Sequence, residues 1–203
     1  MKNLLMALLM VAAGAAAQAE APRLRAYGSV GYGMGGEALV SGRYTDGSGF
    51  ELLAGNGWVM AVGADLRITD NITVQASVGH QRNRINAANA DFDFQRYPVE
   101  VLGFYALSEQ VRLGLGARKA YNAKVTGTDA GYGWAGTGNY DSSVGAILEA
   151  QYLFSPPSLT ERKLVTGVNL RFVKENFTLT TASGGTGVAK RGDHVAIGLV
   201  FYY

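Results

Sequence analysis

Large apolar side chains recur at every second position through most of the chain, the period expected of β-strands with one apolar face. Eight segments show it. Even positions carry it in the first (Ala26, Val30, Tyr32, Met34, Ala38, Val40). The second holds even parity from Phe50, Leu52 and Ala54 through Trp58, Met60, Val62, Ala64 and Leu66 to Ile68. The third has Ile72, Val74, Ala76 and Val78, and the fourth Tyr97, Val99, Val101, Tyr105 and Leu107. Val111, Leu113, Leu115 and Ala117 mark the fifth; Val144, Ala146, Leu148, Ala150, Tyr152 and Phe154 mark the sixth. Leu164, Val168, Leu170 and Phe172 form the seventh, and Val195, Ile197, Leu199, Phe201 and Tyr203 the last.

The connections differ in length. Thr69-Asp70-Asn71 and Ser108-Glu109-Gln110 are short polar turns, and Pro156-Pro157 bars strand continuation between segments six and seven. Ser41 to Ser48, Asn83 to Asp91, the Gly-rich Gly127 to Gly138 and Thr181 to Lys190 are longer. An even number of strands with short turns at one end and long loops at the other suits an up-and-down membrane barrel. About ten residues per strand, tilted, cover its apolar band of ~25 Å. Segments one and two are long enough to project beyond the band as a hairpin.

Which face points inward is decided by the non-apolar parity. In segments three, five, six and seven it mixes Gly, Ser, Thr, Asn and Gln with few charges, whereas a water-exposed strand face carries more Lys and Glu. That disfavours a soluble barrel, apolar inside and charged outside. It predicts an all-β, eight-stranded antiparallel up-and-down transmembrane β-barrel, whose narrow interior side chains can fill.

Depth counted from the short turns sets Glu100 level with Arg118, and Glu149 nearly level with Arg171. Asp65 and Gln75 flank the first turn, with Arg67 just below. Lone buried charges cost several kcal/mol, so opposite charges at matched depth predict a paired interior network that plugs the barrel. Solvation of these charges by internal water is the alternative.

Met1-Lys2-Asn3, an apolar run from Leu4 to Ala17 and the small-x-small Ala17-Gln18-Ala19 read as a secretory signal over residues 1–19, leaving one domain over 20–203. The run is shorter than the ~20 residues a spanning helix needs. The formal charge of +2, reduced by loss of Lys2, predicts no nucleic-acid partner, and the lack of cysteine excludes a disulfide framework.

The alternating final strand, ending on an aromatic residue, resembles the C-terminal assembly signal of Gram-negative outer-membrane barrels, here Val195, Ile197, Leu199, Phe201 and Tyr203. Across its mature length the chain resembles the small eight-stranded barrels related to the OmpA transmembrane domain, OmpX and Ail. The resemblance is architectural, resting on alternation, unequal connections and the terminal aromatic. It implies residence in the outer membrane after export through the periplasm, and insertion by the barrel-assembly machinery. It also implies a role in membrane integrity, surface adhesion or binding of an extracellular ligand through the loops. No motif selects one of these.

Some outer-membrane barrels are lipid A deacylases, with a His-x-Ser pair on one strand and a nearby carboxylate. His80 and His194 lack serine two residues away on either side, so no nucleophile meets a base at that spacing. No cofactor or metal motif is present. His194 reads as an interior hydrogen-bonding residue and His80 as an interface residue. Toward the long-loop end, the outward rows continue into Arg82, Arg84, Lys119, Lys174 and Arg191. These are candidate contacts for lipopolysaccharide phosphates, or an ordinary solvated rim. Tyr105, Tyr152, Phe154, Phe201 and Tyr203 mark one membrane interface, and Tyr97, Tyr121 and Tyr140 the other. Tyr132 and Trp134 suit a recognition loop. The expected function is a structural or surface-interaction barrel; a narrow solute pore and a lipid A-modifying enzyme are the alternatives.

Overall fold

The computed structural model describes residues 24–44, 46–87, 90–129, 134–155, 164–181 and 187–203. The expected signal segment, Pro156-Pro157 and Tyr132 lie outside them. The elements are β1 (Leu24–Gly35), β2 (Ala38–Arg43), β3 (Gly49–Leu53), β4 (Gly57–Arg67), β5 (Ile72–Ala87), β6 (Ala90–Ala106) and β7 (Val111–Asp129). They continue with β8 (Trp134–Ser142), β9 (Gly145–Leu153), β10 (Val165–Lys174), β11 (Asn176–Thr181), β12 (Ala189–Arg191) and β13 (His194–Tyr202).

Eight of these form a closed ring. Strands β1, β4, β5, β6, β7, β9, β10 and β13 pair antiparallel in that order, and β13 returns to β1 with Tyr27 opposite Tyr202 and Gly35 opposite His194. Closure leaves the ring no free edge, so every wall strand is paired on both sides. The two described short turns use one device. Thr69 Oγ1 accepts hydrogen bonds from the Asn71 and Ile72 amides, and Ser108 Oγ does the same for Gln110 and Val111. Such side-chain-closed turns need no extra residues.

Three strands are much longer than the 9–11 residues that suffice to span lipid: β5, β6 and β7 have 16, 17 and 19. Their outer halves continue, with β8, β11 and β12, as a sheet rising above the ring; the outer half of β7 pairs with β8 and its inner half with β9.

Polarity inverts between the two storeys. In the ring, Val62, Val78, Val101, Leu115, Leu148, Leu170 and Ile197 face outward and exposed, while Asp65, Gln75, Glu100, Glu149 and Arg171 are buried inside. In the upper sheet Arg82, Arg84, Asp91 and Asp93 face outward, while Phe92, Phe94, Val125 and Phe177 are buried inside. The first arrangement suits a wall in lipid, the second a wall in water. The change falls between Tyr97 and Gln95 on β6 and between His80 and Arg82 on β5, which fixes the upper edge of the apolar belt.

Two backbone irregularities make this possible. Segment two does not keep one face. Phe50, Leu52 and Ala54 point inward, whereas Trp58, Met60 and Val62 point outward, because residues 54–56 leave the strand between β3 and β4. Gly57 turns the chain there with φ +121°, and a Cβ on it would lie 2.2 Å from the Arg82 carbonyl, so only glycine fits. The second irregularity is a β-bulge in β7. Asn122, at φ 51°, is the extra residue where the β6–β7 register shifts between Gln95 and Tyr97. It turns Ala123 and Val125 inward above Ala120.

The β2–β3 hairpin crosses the open upper end and packs Phe50, Leu52 and Ala54 onto Phe92, Phe94, Val125 and Phe177. Tyr140 joins this cluster, edge-on to Phe94, rather than marking the membrane interface as its parity suggests.

Candidate functional site

The lumen is crossed by a continuous chain of charged and polar contacts. At the short-turn end Asp65 Oδ2 accepts from Arg25 Nη2 at 2.5 Å and its Oδ1 from Arg112 Nη1 at 3.2 Å. Arg112 is clamped between the Phe104 and Tyr202 rings, 4.2 and 4.6 Å from their centroids. Its Nε donates to Gln151 Oε1 at 2.9 Å. The Tyr202 hydroxyl lies 2.8 Å from the same oxygen and 3.1 Å from Gln75 Oε1.

Gln151 passes the chain upward, its Nε2 donating to Glu149 Oε1 at 2.6 Å, an oxygen Asn169 Nδ2 also reaches at 2.9 Å. Arg171 then bridges two carboxylates, Glu149 at 2.7 Å and Glu100 at 2.5 Å. Arg118 bridges Glu100 and Glu175, both at 3.2 Å. All of these groups except the partly buried Arg25 are buried. Water is therefore a weak screen, and each carboxylate faces a guanidinium instead.

Register explains why the contacts form. Glu100 is directly opposite Arg118, Glu149 opposite Arg171, and Asp65 opposite Gln75. Arg67 departs from this pattern. It is half-buried at the mouth below the ring of pairs and has no ion-pair partner among the described residues, so it does not belong to the interior network. Its strand ends there, and it lines the mouth together with the turn residues.

Above Glu175 the chain of pairs stops. Arg96 is fully buried, its guanidinium between the Phe94 and Phe177 rings at 4.8 and 5.3 Å, and the hairpin cluster lies over it. The lumen thus holds a charged plug beneath an apolar roof. Depth counting misses Arg25, Arg112, Gln151, Tyr202, Arg96 and Glu175. For Arg112 and Gln151 the signal exists, since both stand at inward parity and face one another in register. Arg96 lies at the bulge, where counting fails.

The basic residues of the outer rim are less free than their sequence suggests. Arg82 pairs with Asp93, Arg84 with Asp91 at 2.7 Å, Lys119 with Asp141 at 3.5 Å and Arg191 with Glu37 at 3.0 Å. Lys174 is exposed and has no such partner among the described residues. The Arg84 guanidinium holds the Asp91 carboxyl below its ordinary value, and the Arg191 amide and side chain do the same for Glu37. Val195, Ile197, Leu199, Phe201 and Tyr203 form one outward row on and just past β13. His194 points inward with Nδ1 2.7 Å from the Gly192 carbonyl, and His80 stacks on Tyr97 on the outer wall at 5.0 Å. Among the described residues no three His, Cys, Asp or Glu side chains converge as a metal set.

No protein-family model and no curated protein matches the chain. Solved structures do. Ail, the attachment invasion locus protein of Yersinia pestis, in complex with the heparin analogue sucrose octasulfate, matches at 15% identity and a TM-score of 0.51, over 89% of this chain and 99% of Ail. Neisserial surface protein A matches at 14% identity and a TM-score of 0.46, over 89% and 97% of the two chains. The outer-membrane protein AlkL matches at 13% identity and a TM-score of 0.44, over 92% and 93%. With its ring of eight antiparallel strands and its likeness to Ail, the chain has the fold of the small eight-stranded outer-membrane β-barrels.

Proposed function

We propose that this protein is a closed outer-membrane barrel of Gram-negative cells, with a structural or surface-interaction role carried by its outer surfaces rather than by conduction or catalysis. One observation carries the reading. The side-chain network is unbroken from Arg25 to Glu175, and Arg96 and the hairpin cluster cover it. A solute would have to break several buried ion pairs in series, at about 3–5 kcal/mol for each one left uncompensated. The outward apolar row of β13, which resembles the assembly signal of such barrels, supports export through the periplasm and insertion by the barrel-assembly machinery in this reading.

The upper rim is the interacting surface in this reading. Lys174, the unused guanidinium donors of Arg82, Arg84 and Arg191, and Lys119 lie at or above the edge of the apolar belt, where lipopolysaccharide phosphates stand. Ail carries a sulfated sugar in its solved complex, which makes polyanions the first extracellular ligands to test.

Planar-bilayer recording tests the closed interior. The expected trace is a bilayer with no large, stable open state; sustained conductance overturns the plug and makes the protein a pore. Lys174→Glu tests the rim, with loss of lipopolysaccharide co-purification expected and unchanged co-purification counting against these contacts. An altered lipid A mass on expression would replace the non-catalytic reading with an enzymatic one.

A further inference from the structure

At the opposite end from the roof, a recess of about 860 Å³ opens between the Thr69–Asn71 and Ser108–Gln110 turns. Arg25, Arg67 and Arg112 line it, and Asp65, buried behind them, is the one carboxylate among the described residues bonded to any of the three. Asp65 is shared between Arg25 and Arg112, one oxygen to each. Arg67 lines the recess with no ion-pair or hydrogen-bond partner among the described residues, near the like charge of Arg25 and the opposite charges of Asp70 and Asp65. Arg25 Nη1 has no hydrogen-bond partner among the described residues. Asp70 and Glu109 lie on the turns at the rim, exposed to water.

Guanidinium groups carry planar forks of donors that match the oxygens of a phosphate or carboxylate group, and a buried donor left unpaired is costly. We propose that the recess at the short-turn mouth binds an oxyanion, a phosphate or carboxylate group, through Arg67 and Arg25. The ligand takes the free fork of Arg67, and Arg25, which lines the recess and is held from behind by Asp65, adds a second positive charge beside it. The volume is several times that of a phosphate ion, so the group can belong to a larger molecule whose remainder stays outside the mouth. This site lies at the far end of the barrel from the roof and does not depend on whether the lumen conducts.

The test uses the full barrel in a maltoside detergent, which has no phosphate, titrated with inorganic phosphate at constant ionic strength. Arginine Nε–H resonances are followed by NMR. Saturating shifts at Arg67 and Arg25 are expected, and Arg67→Gln should weaken the midpoint by roughly tenfold or more. Arg67 makes no ion pair or hydrogen bond among the described residues, so the variant should keep the barrel, and Lys124→Gln on the outer half of β7, at the opposite end, should leave the titration unchanged. Acetate run in parallel distinguishes carboxylate from phosphate. A short-chain phosphatidylglycerol compared with glycerol phosphate distinguishes a lipid headgroup from a free anion. Shifts that grow linearly without saturating for all of these anions, or that persist unchanged in Arg67→Gln, overturn the site.

Discussion

Phe50 on β3 and Phe92 on β6 meet with ring centroids 5.7 Å apart, although the first belongs to a hairpin outside the barrel wall and the second to the wall itself. Their contact, with Leu52 and Ala54, is what holds the hairpin down over the lumen. Truncation of Phe50 removes a buried aromatic anchor, a change that costs about 3–5 kcal/mol in a well-packed core. The loss falls on the hairpin, because the eight-strand ring below does not use it. Phe50→Ala should therefore speed amide exchange through β2 and β3 while leaving exchange in β10 and β13 unchanged. Uniform acceleration across the barrel would show that hairpin and ring unfold as one unit.

Arg171 offers a sharper test of the interior. It alone bridges Glu100 and Glu149, so its removal leaves two buried carboxylates short of a partner. Arg171→Met should lower the unfolding free energy by about 3–5 kcal/mol, read from urea titration of the folded fraction separated from the unfolded by gel migration. Adding Glu100→Gln should restore part of that loss, since one uncompensated charge is removed with it. A double variant no more stable than the single one would mean that Arg118 already satisfies Glu100.

Much of this architecture was legible from alternation. The eight wall strands, the closed ring and the facing of Glu100 to Arg118 and Glu149 to Arg171 follow from a period of two and from counting away from tight turns. What alternation conceals is any place where the backbone breaks its own period. Phe50 and Trp58 share a parity yet face opposite ways, since residues 54–56 leave the strand between them. Asn83 to Asp91 reads as a polar connection because, above the membrane, the polar residues are the outward half of continuing strands. Phe92 and Phe94 are the inward half of the same rows. The rim cations were visible, but their acidic partners were not. Asp93 and Asp91 meet Arg82 and Arg84 only once β5 and β6 are known to continue upward side by side.

The bulge at Asn122 makes a further prediction about backbone rather than side chains. Its left-handed φ is tolerated by Asn and Gly but strains other residues, by about 1–2 kcal/mol and more for a β-branched one. Asn122→Gly should leave stability nearly unchanged, and Asn122→Val should lower it. The readout is local as well as global. If Val at this position erases the bulge, Ala123 and Val125 turn outward and the roof loses one wall, so amide protection of β8 should fall with it. Equal stability of the Gly and Val variants would show that the strained conformation is not required.

Glu37 and Arg191 tie the base of the hairpin to β12, and this tie depends on pH. The Glu37 carboxylate accepts from the Arg191 backbone amide at 2.9 Å and from its side chain at 3.0 Å. Those donors, the backbone amide first, hold the carboxyl below its ordinary value of 4.5. A carboxyl whose folded pKa is depressed contributes fully above its unfolded value, and the contribution is lost as pH falls through the folded one. The tie should thus be intact at neutral pH and begin to fail only below 4.5. The Arg191 amide proton reports it directly, because its chemical shift moves when the accepting oxygen is protonated. An inflection below 4.5 in the native chain, absent from Glu37→Gln, is the expected result. An inflection at or above that value would mean that the two residues do not hold each other in solution. The hairpin would then be anchored by its apolar face, by the Glu37 amide on the Arg191 carbonyl and by Asn83 on the Leu53 carbonyl.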